Sequence, residues 1–195
     1  MKLSPHFTLG ELTKTKHVTA DGNIPSRVVI ENLIRVCGWV EELRARYNRL
    51  YVWNVEGGMW NENSHVALCA GVRPQSKVAG DCTLAPDPGA AAELGAAAAS
   101  RKEEPIVINS GYRSPEVNEL AGGATNSNHL TGCAVDIRCA GKEQMIRYAA
   151  ILLDIADGTK QEFDEMLLEQ HGSVCWLHFA VRPKDNRHKI SFLKA

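Results

Sequence analysis

The chain has 195 residues, a formal net charge of −1 and 44% hydrophobic residues. This size and apolar content suit one globular domain with a packed core. The near-neutral charge provides no long-range basic field for nucleic acid or anionic membranes, so we expect neither as a partner. No stretch approaches the ~20 apolar residues of a membrane span, so we expect no membrane insertion.

The N-terminal part predicts helices and no export signal. Its first residues contain no apolar run of the ~7–15 residues that a secretory signal requires, so we expect synthesis in the cytoplasm. Thr8 and Glu11 have the spacing of a capping box, which predicts a short helix near 8–15. Apolar residues three and four positions apart predict a long amphipathic helix over 26–47, with Ser26 as its N-cap.

Residues 48–104 interrupt this regular pattern. They mix Gly, Asn and Trp with isolated apolar residues, which predicts an irregular insertion, and they end in an Ala-rich run that suits a helix or a linker. His65, Cys69 and Cys82 lie within the insertion, but their spacing lacks the paired step of a metal site. We therefore predict a single domain over residues 1–195, interrupted by this insertion.

The second half of the chain alternates strand and helix patterns. β-branched runs bounded by turn residues predict strands, and apolar residues at helical spacing predict helices. In order, these are a strand in PIVINS, a helix in PEVNEL, a strand in CAVDIRC, a helix in KEQMIRYAAILLDIA and a hairpin of EFDEMLLE with SVCWLHFAV. The predicted fold class is α+β, with the N-terminal helices packed on a small antiparallel sheet.

Three residues in this half have the chemistry of a catalytic zinc site. Such a site uses three protein ligands from His, Asp or Glu and leaves one position open for water. His129 and Asp136 flank Gly132 in SNHLTGCAVDI, and His178 lies on the last predicted strand in WLHFAV. Each residue taken singly also suits an ordinary loop or strand position, but residues 127–136 together fit the pattern Ser-x-His-x-x-Gly-x-Ala-x-Asp.

With this pattern the sequence resembles the zinc D-Ala-D-Ala carboxypeptidases and L-alanyl-D-glutamate endopeptidases, especially their short phage-type members, whose fold is shared with the hedgehog signalling domain. The matching segments, in the family's order, are FTLGEL, NIPSRVVIENL, INSGYRSPEVN, GGATNSNHLTGCAVDI, FDEMLLE, WLH and Asn186-Arg187. The resemblance implies that His129, Asp136 and His178 bind one Zn²⁺ ion.

The same resemblance implies how substrate is held. It assigns the arginine of SGYRS, Arg113, to substrate binding and to polarising the scissile carbonyl, and it assigns the motif serine, Ser127, to substrate binding. A permanent positive charge at Arg113 suits a developing oxyanion. The implied substrates are the stem peptides of bacterial peptidoglycan, cut by a monomer that reaches the cell wall after release in a phage or prophage context.

The general base is where the sequence departs from the family. Well-known members carry a carboxylate three residues before the last zinc histidine, and that position here is Cys175. The short members instead carry an acidic residue at the end of the preceding strand, which corresponds to Glu169. Strand alternation places Glu165 on the same face, so Glu165 stays as the alternative base, and it places Asp164 on the opposite face.

Two functions therefore follow from the sequence. The first is a zinc metallopeptidase that hydrolyses peptide bonds next to D-amino acids in peptidoglycan, as a D-Ala-D-Ala carboxypeptidase or an L-Ala-D-Glu endopeptidase. The second is a catalytically inactive, zinc-containing binding or virion structural module of the same fold. Cys175 favours the second, whereas a carboxylate next to the metal would favour the first.

Overall fold

The structure is a computed structural model that describes residues 1–52 and 103–194. The chain divides into two compact units, one made of Met1–Arg49 with Pro105–Ala195 and the other of Leu50–Glu104. The first unit carries the helices and strands that bear on function. Most of the predicted insertion, with its Ala-rich run and with His65, Cys69 and Cys82, lies outside the described residues.

Two N-terminal helices form where the capping signals predict them. Helix α1 spans Leu9–Leu12, and Thr8 and Glu11 make both hydrogen bonds of a capping box. Helix α2 spans Arg27–Tyr47 and begins after Ser26, whose hydroxyl accepts a backbone N–H of its first turn. Both predictions are confirmed, although α1 is shorter than predicted because Thr13 leaves helical geometry.

The second half adds two α-helices. Helix α3 spans Pro115–Leu120 and is capped by the hydroxyl of Ser114, and helix α4 spans Lys142–Thr159. Both occur where the sequence predicts them. No helix in the described part of the chain is long and apolar enough to cross a membrane.

Five strands form one sheet in the order β1-β2-β4-β3-β5. In chain order, their ranges are Ile108–Ser110, Ala134–Cys139, Glu165–His171, Val174–Ala180 and Lys189–Lys194. The first four pair antiparallel, and β5 pairs parallel with β3. The α+β class is confirmed, with one parallel edge strand added.

Strand β5 was not predicted from the sequence. Its side chains are mostly exposed, so it has no alternation of buried and exposed residues for a sequence pattern to detect. The hairpin between β3 and β4 also differs slightly from the prediction. Its turn lies at Gly172 and Ser173, and His171 still belongs to β3.

The two faces of the sheet have different roles. Helices α2 and α4 cover one face, where Trp39 packs on Phe179 with ring centroids 5.3 Å apart. Asp136 and His178 are paired directly across β2 and β4. Because side chains alternate along a strand, His178 lies on the face opposite to Phe179. The helices therefore bury one face and leave the other for a functional site.

Candidate metal centre

The three predicted zinc ligands meet on the face of the sheet that the helices do not cover. Nε2 of His129 lies 3.2 Å from Nδ1 of His178 and 3.2 Å from Oδ1 of Asp136, and Nδ1 of His178 lies 2.9 Å from the same oxygen. All three residues are buried. Within the described residues, this is the cluster of His, Cys, Asp and Glu side chains that could hold a metal ion.

The donor atoms fit zinc in both chemistry and spacing. Ligands at ~2.0–2.2 Å from a tetrahedral zinc ion lie ~3.3 Å from one another, close to the separations seen among these three atoms. Two imidazoles and one carboxylate form a ligand set that leaves a fourth position open. The arrangement therefore suits a catalytic zinc ion better than a closed structural one.

His129 is oriented by the backbone on both sides of it. Its Nδ1 donates to the carbonyl of Gly111 at 2.6 Å, which directs Nε2 at the other two ligands. The residue lies in a 3-10 turn over Asn128–Thr131, which ends at Gly132 in the left-handed region with φ 69°. The hydroxyl of Ser127 accepts from the backbone N–H of His129 at 3.3 Å, so Ser127 caps this turn.

The two carboxylate oxygens of Asp136 have different partners, the histidines for one and Arg113 for the other. Its Oδ1 faces both histidines, and its Oδ2 accepts from Nη2 of Arg113 at 2.7 Å. Nε of Arg113 donates to the hydroxyl of Ser110 at 2.9 Å, which fixes the guanidinium. Burial opposes the charged form of Asp136, but His129 and His178 outweigh burial and hold the pKa of Asp136 well below its usual range.

Glu165 lies on the outer side of His178. Its Oε2 is 3.8 Å from Nε2 of His178, the ring nitrogen that points away from the other two ligands. The Glu165 carboxylate accepts from Asn128 at 3.0 Å and from Lys189 at 3.1 Å, and it pairs with Arg187 at 3.1 Å. Glu165 is therefore held by three polar side chains next to the ligand His178, on the side of that ring away from the other two ligands.

Glu169 lies on the same face of the sheet, four residues further along β3. It is half-buried and pairs in register with Trp176. Burial raises the pKa of the Glu169 carboxyl and the negative charge of Asp136 raises it further, whereas His178 and Arg113 lower it. Charges of Asp136, His178 and Arg113 therefore influence Glu169, which remains a candidate for the general base beside Glu165.

The structure explains why Cys175 cannot replace the base. Cys175 pairs with Cys139 across β2 and β4, and both side chains are buried. It lies three residues before His178, so strand alternation directs it to the opposite, helix-covered face. Within the described strands, the carboxylates on the metal-bearing face other than Asp136 are Glu165 and Glu169 of β3.

A network of polar residues behind the centre was not predicted from the sequence. The carboxylate of Asp164 is fully buried and accepts two hydrogen bonds from the Arg187 guanidinium, at 2.8 and 2.7 Å. Nδ2 of Asn128 donates to Asp164 at 2.7 Å and to Glu165 at 3.0 Å. The predicted opposite orientation of Asp164 is therefore wrong, because Asp164 precedes the first residue of β3 and is outside the strand alternation.

Two sequence signals could have indicated this network. Asn128 is adjacent to the ligand His129, and Arg187 belongs to the Asn186-Arg187 segment that the family shares. Neither signal identifies Asp164 as the partner, because that contact joins residues 23 positions apart in the chain. Tertiary structure alone brings the three together.

Fold and site together define an α+β protein with a buried two-histidine, one-aspartate centre of the kind that zinc hydrolases use. The family model described as Peptidase M15 matches residues 72–166, a range that includes Arg113, Ser127, His129 and Asp136. This match supports the family predicted from the motifs, the zinc D-Ala-D-Ala carboxypeptidase-like M15 peptidases. No curated protein matches the chain. The M15 family is zinc-dependent, and the match supports a metallopeptidase that acts on peptidoglycan in general.

Proposed function

We propose that this chain is a zinc metallopeptidase that hydrolyses a peptide bond next to a D-amino acid in the stem peptides of peptidoglycan. The observation that carries the proposal is the convergence of His129, Asp136 and His178 on one buried point. The M15 family match agrees with this chemistry. We further propose that the protein acts as a monomer at the cell wall, in a phage or prophage context.

A zinc ion held by these three residues would supply a Lewis acid that acidifies water and polarises the scissile carbonyl. Glu169 would accept the proton of the attacking water and return it to the amine that leaves. Its raised pKa suits the first of these steps, because a carboxylate with a higher pKa is a stronger base toward the attacking water.

Arg113 would have two roles, one toward the metal ligand Asp136 and one toward the substrate. Its bond to Oδ2 of Asp136 keeps the other carboxylate oxygen directed at the histidines. Its positive charge also lies beside the position where a carbonyl oxygen would become negative, which stabilises the transition state. Ser127 would bind substrate from the turn that carries His129.

The test is to measure zinc content and product release together. The parent protein, His178→Ala, Glu169→Gln and the control Glu31→Gln, which alters an exposed carboxylate on α2, would be incubated with purified peptidoglycan and with defined muropeptides. We expect zinc in the parent, Glu169→Gln and Glu31→Gln, and turnover only in the parent and Glu31→Gln. Mass spectrometry of the products would identify the bond that is cut.

A second candidate function is a zinc-containing binding module without turnover. It is favoured by the position of Cys175, which faces the helix-covered side and leaves the centre without the carboxylate found in well-known relatives. A parent protein that binds zinc and peptidoglycan fragments but releases no product would establish this function. A parent that binds no zinc would contradict both candidates.

A further inference from the structure

A second row of side chains crosses the metal-bearing face next to the ligands. Arg138 on β2 pairs with Trp176 on β4, and Trp176 pairs with Glu169 on β3. Asp136, His178 and Leu167 are paired in the same way across these three strands. Each residue of the second row lies two positions along its strand from the member of that first row. We call Arg138, Trp176 and Glu169 the outer row, and it lies ~7 Å from the ligands along the strands.

Arg138 differs from the other arginines near the centre. Arg113, Arg182 and Arg187 all pair with carboxylates of the protein. Arg138 is the one exposed residue of β2, and its guanidinium has no ion pair or hydrogen bond to any described residue. It therefore presents a permanent charge and five N–H donors to whatever occupies this face.

The outer row lies on the opposite side of the metal centre from Ser127. The turn that carries Ser127 leads into the first residue of β2, Ala134, whereas Arg138 is near the other end of that strand. A peptide that contacts Ser127 and crosses the metal ligands would continue toward Arg138. The outer row is thus placed to contact the part of the substrate beyond the scissile bond.

We propose that Arg138 and Trp176 form a subsite for a carboxylate of the peptide substrate, on the side of the scissile bond away from Ser127. This inference rests on the proposed peptidase function. A guanidinium binds a carboxylate with two parallel hydrogen bonds, and the half-buried indole of Trp176 provides an apolar wall beside it.

Glu169 makes the subsite selective. It lies two strand spacings from Arg138, or ~10 Å, so a substrate carboxylate is attracted to the Arg138 end of the outer row and repelled from the Glu169 end. This keeps a negative group of the substrate away from the proposed base. The subsite would therefore distinguish peptides that carry a free carboxylate here from peptides in which the same group is an amide.

The test uses two pairs of synthetic muramyl pentapeptides. One pair differs by acid or amide at the α-carboxyl group of the second residue, and the other by acid or amide at the C-terminus. We expect Arg138→Gln to lower kcat/KM about tenfold for the acid peptide of one pair, mainly through a higher KM. For the amide peptide of the same pair, kcat/KM should change less than twofold. Arg138→Lys should restore part of the loss, and Arg27→Gln, which alters an exposed arginine on α2, should change nothing.

The outcomes separate this inference from the proposed function. If the parent cleaves none of the four peptides and no peptidoglycan, the peptidase function fails. A second outcome is that the parent cleaves the peptides while Arg138→Gln leaves all four values of kcat/KM unchanged or lowers all four equally. That result would support the peptidase function and refute the carboxylate subsite. Zinc content equal to that of the parent in Arg138→Gln would show that the metal centre is intact.

Discussion

Asp136 and Arg113 form an ion pair, 2.7 Å long, that lies directly behind the metal centre. One carboxylate oxygen of Asp136 faces the two histidines, and the other is held by the guanidinium of Arg113. Arg113 is itself anchored to the hydroxyl of Ser110. The pair thus orients a ligand that would otherwise be free to rotate about its Cβ–Cγ bond.

This relationship predicts that Arg113 affects metal binding as well as turnover. We expect Arg113→Gln to weaken zinc binding by about tenfold or more, because a lost partner of a metal ligand typically costs that much. Arg113→Lys should recover little, since an ammonium group cannot reproduce the fixed fork that joins Asp136 and Ser110. Competition with a fluorescent chelator measures zinc affinity. Unchanged affinity with reduced turnover would limit Arg113 to substrate binding.

The two glutamates of β3 are predicted to have separable roles. We expect Glu169→Gln to lower kcat by ~10²–10⁴ while zinc affinity stays the same, because it removes only the base. Glu165→Gln should mainly weaken zinc binding, because Glu165 lies at the outer nitrogen of His178. Parallel measurement of kcat and zinc affinity checks both. If Glu165→Gln abolishes turnover with zinc fully bound, Glu165 is the base.

Asp164 is predicted to stabilise the fold in a pH-dependent way. Burial opposes its charge, but hydrogen bonds from Arg187 and Asn128 and the nearby charge of Arg182 outweigh burial and hold the pKa of Asp164 below its usual range. Because the pKa is lower in the folded state, the contribution is complete above the unfolded-state pKa. It is lost as the pH falls through the folded-state value.

We therefore expect Asp164→Asn to lower the free energy of unfolding by about 2 kcal/mol at pH 7. The difference from the parent should shrink as the pH falls through the folded-state pKa of Asp164, because the parent carboxylate then also becomes protonated. Urea unfolding at pH 7 and at a series of lower pH values measures this, with zinc removed from both proteins so that loss of the metal does not contribute. A difference that stays the same across the series would show that the charge of Asp164 has no role.

Gly132 is predicted to be essential for the turn that carries His129. Its φ is +69°, and a Cβ at this position would lie 2.8 Å from Val29. We expect Gly132→Ala to destabilise the protein by about 2 kcal/mol and to weaken zinc binding, because the turn must shift. The control is Gly158→Ala in α4, where a Cβ meets nothing within 4 Å.

In that control we expect unchanged zinc binding and a gain in stability of ~0.5 kcal/mol, since alanine loses less entropy in a helix than glycine. Thermal unfolding with and without zinc compares the two variants. Equal stability of Gly132→Ala and the parent would mean that the turn adapts without cost.

The sequence alone determined the features that depend on local chemistry. The capping residues Thr8 and Ser26 marked helix starts because a side-chain oxygen satisfies backbone N–H groups only a few positions away. The spacing of His129 and Asp136 around Gly132 indicated a metal site because both ligands lie within one turn and one strand. These signals depend on residues that are near one another in the chain.

Tertiary structure decided what depends on contacts between distant residues. The resemblance favoured Glu169 as the base, but strand alternation gives Glu165 the same face and so kept it as the alternative. Only the tertiary structure shows that Glu165 contacts Arg187, Lys189 and Asn128. Similarly, β5 and the ion pair of the buried Asp164 with Arg187 became visible only in the fold, because exposed edge strands and long-range ion pairs leave no periodic pattern in the chain.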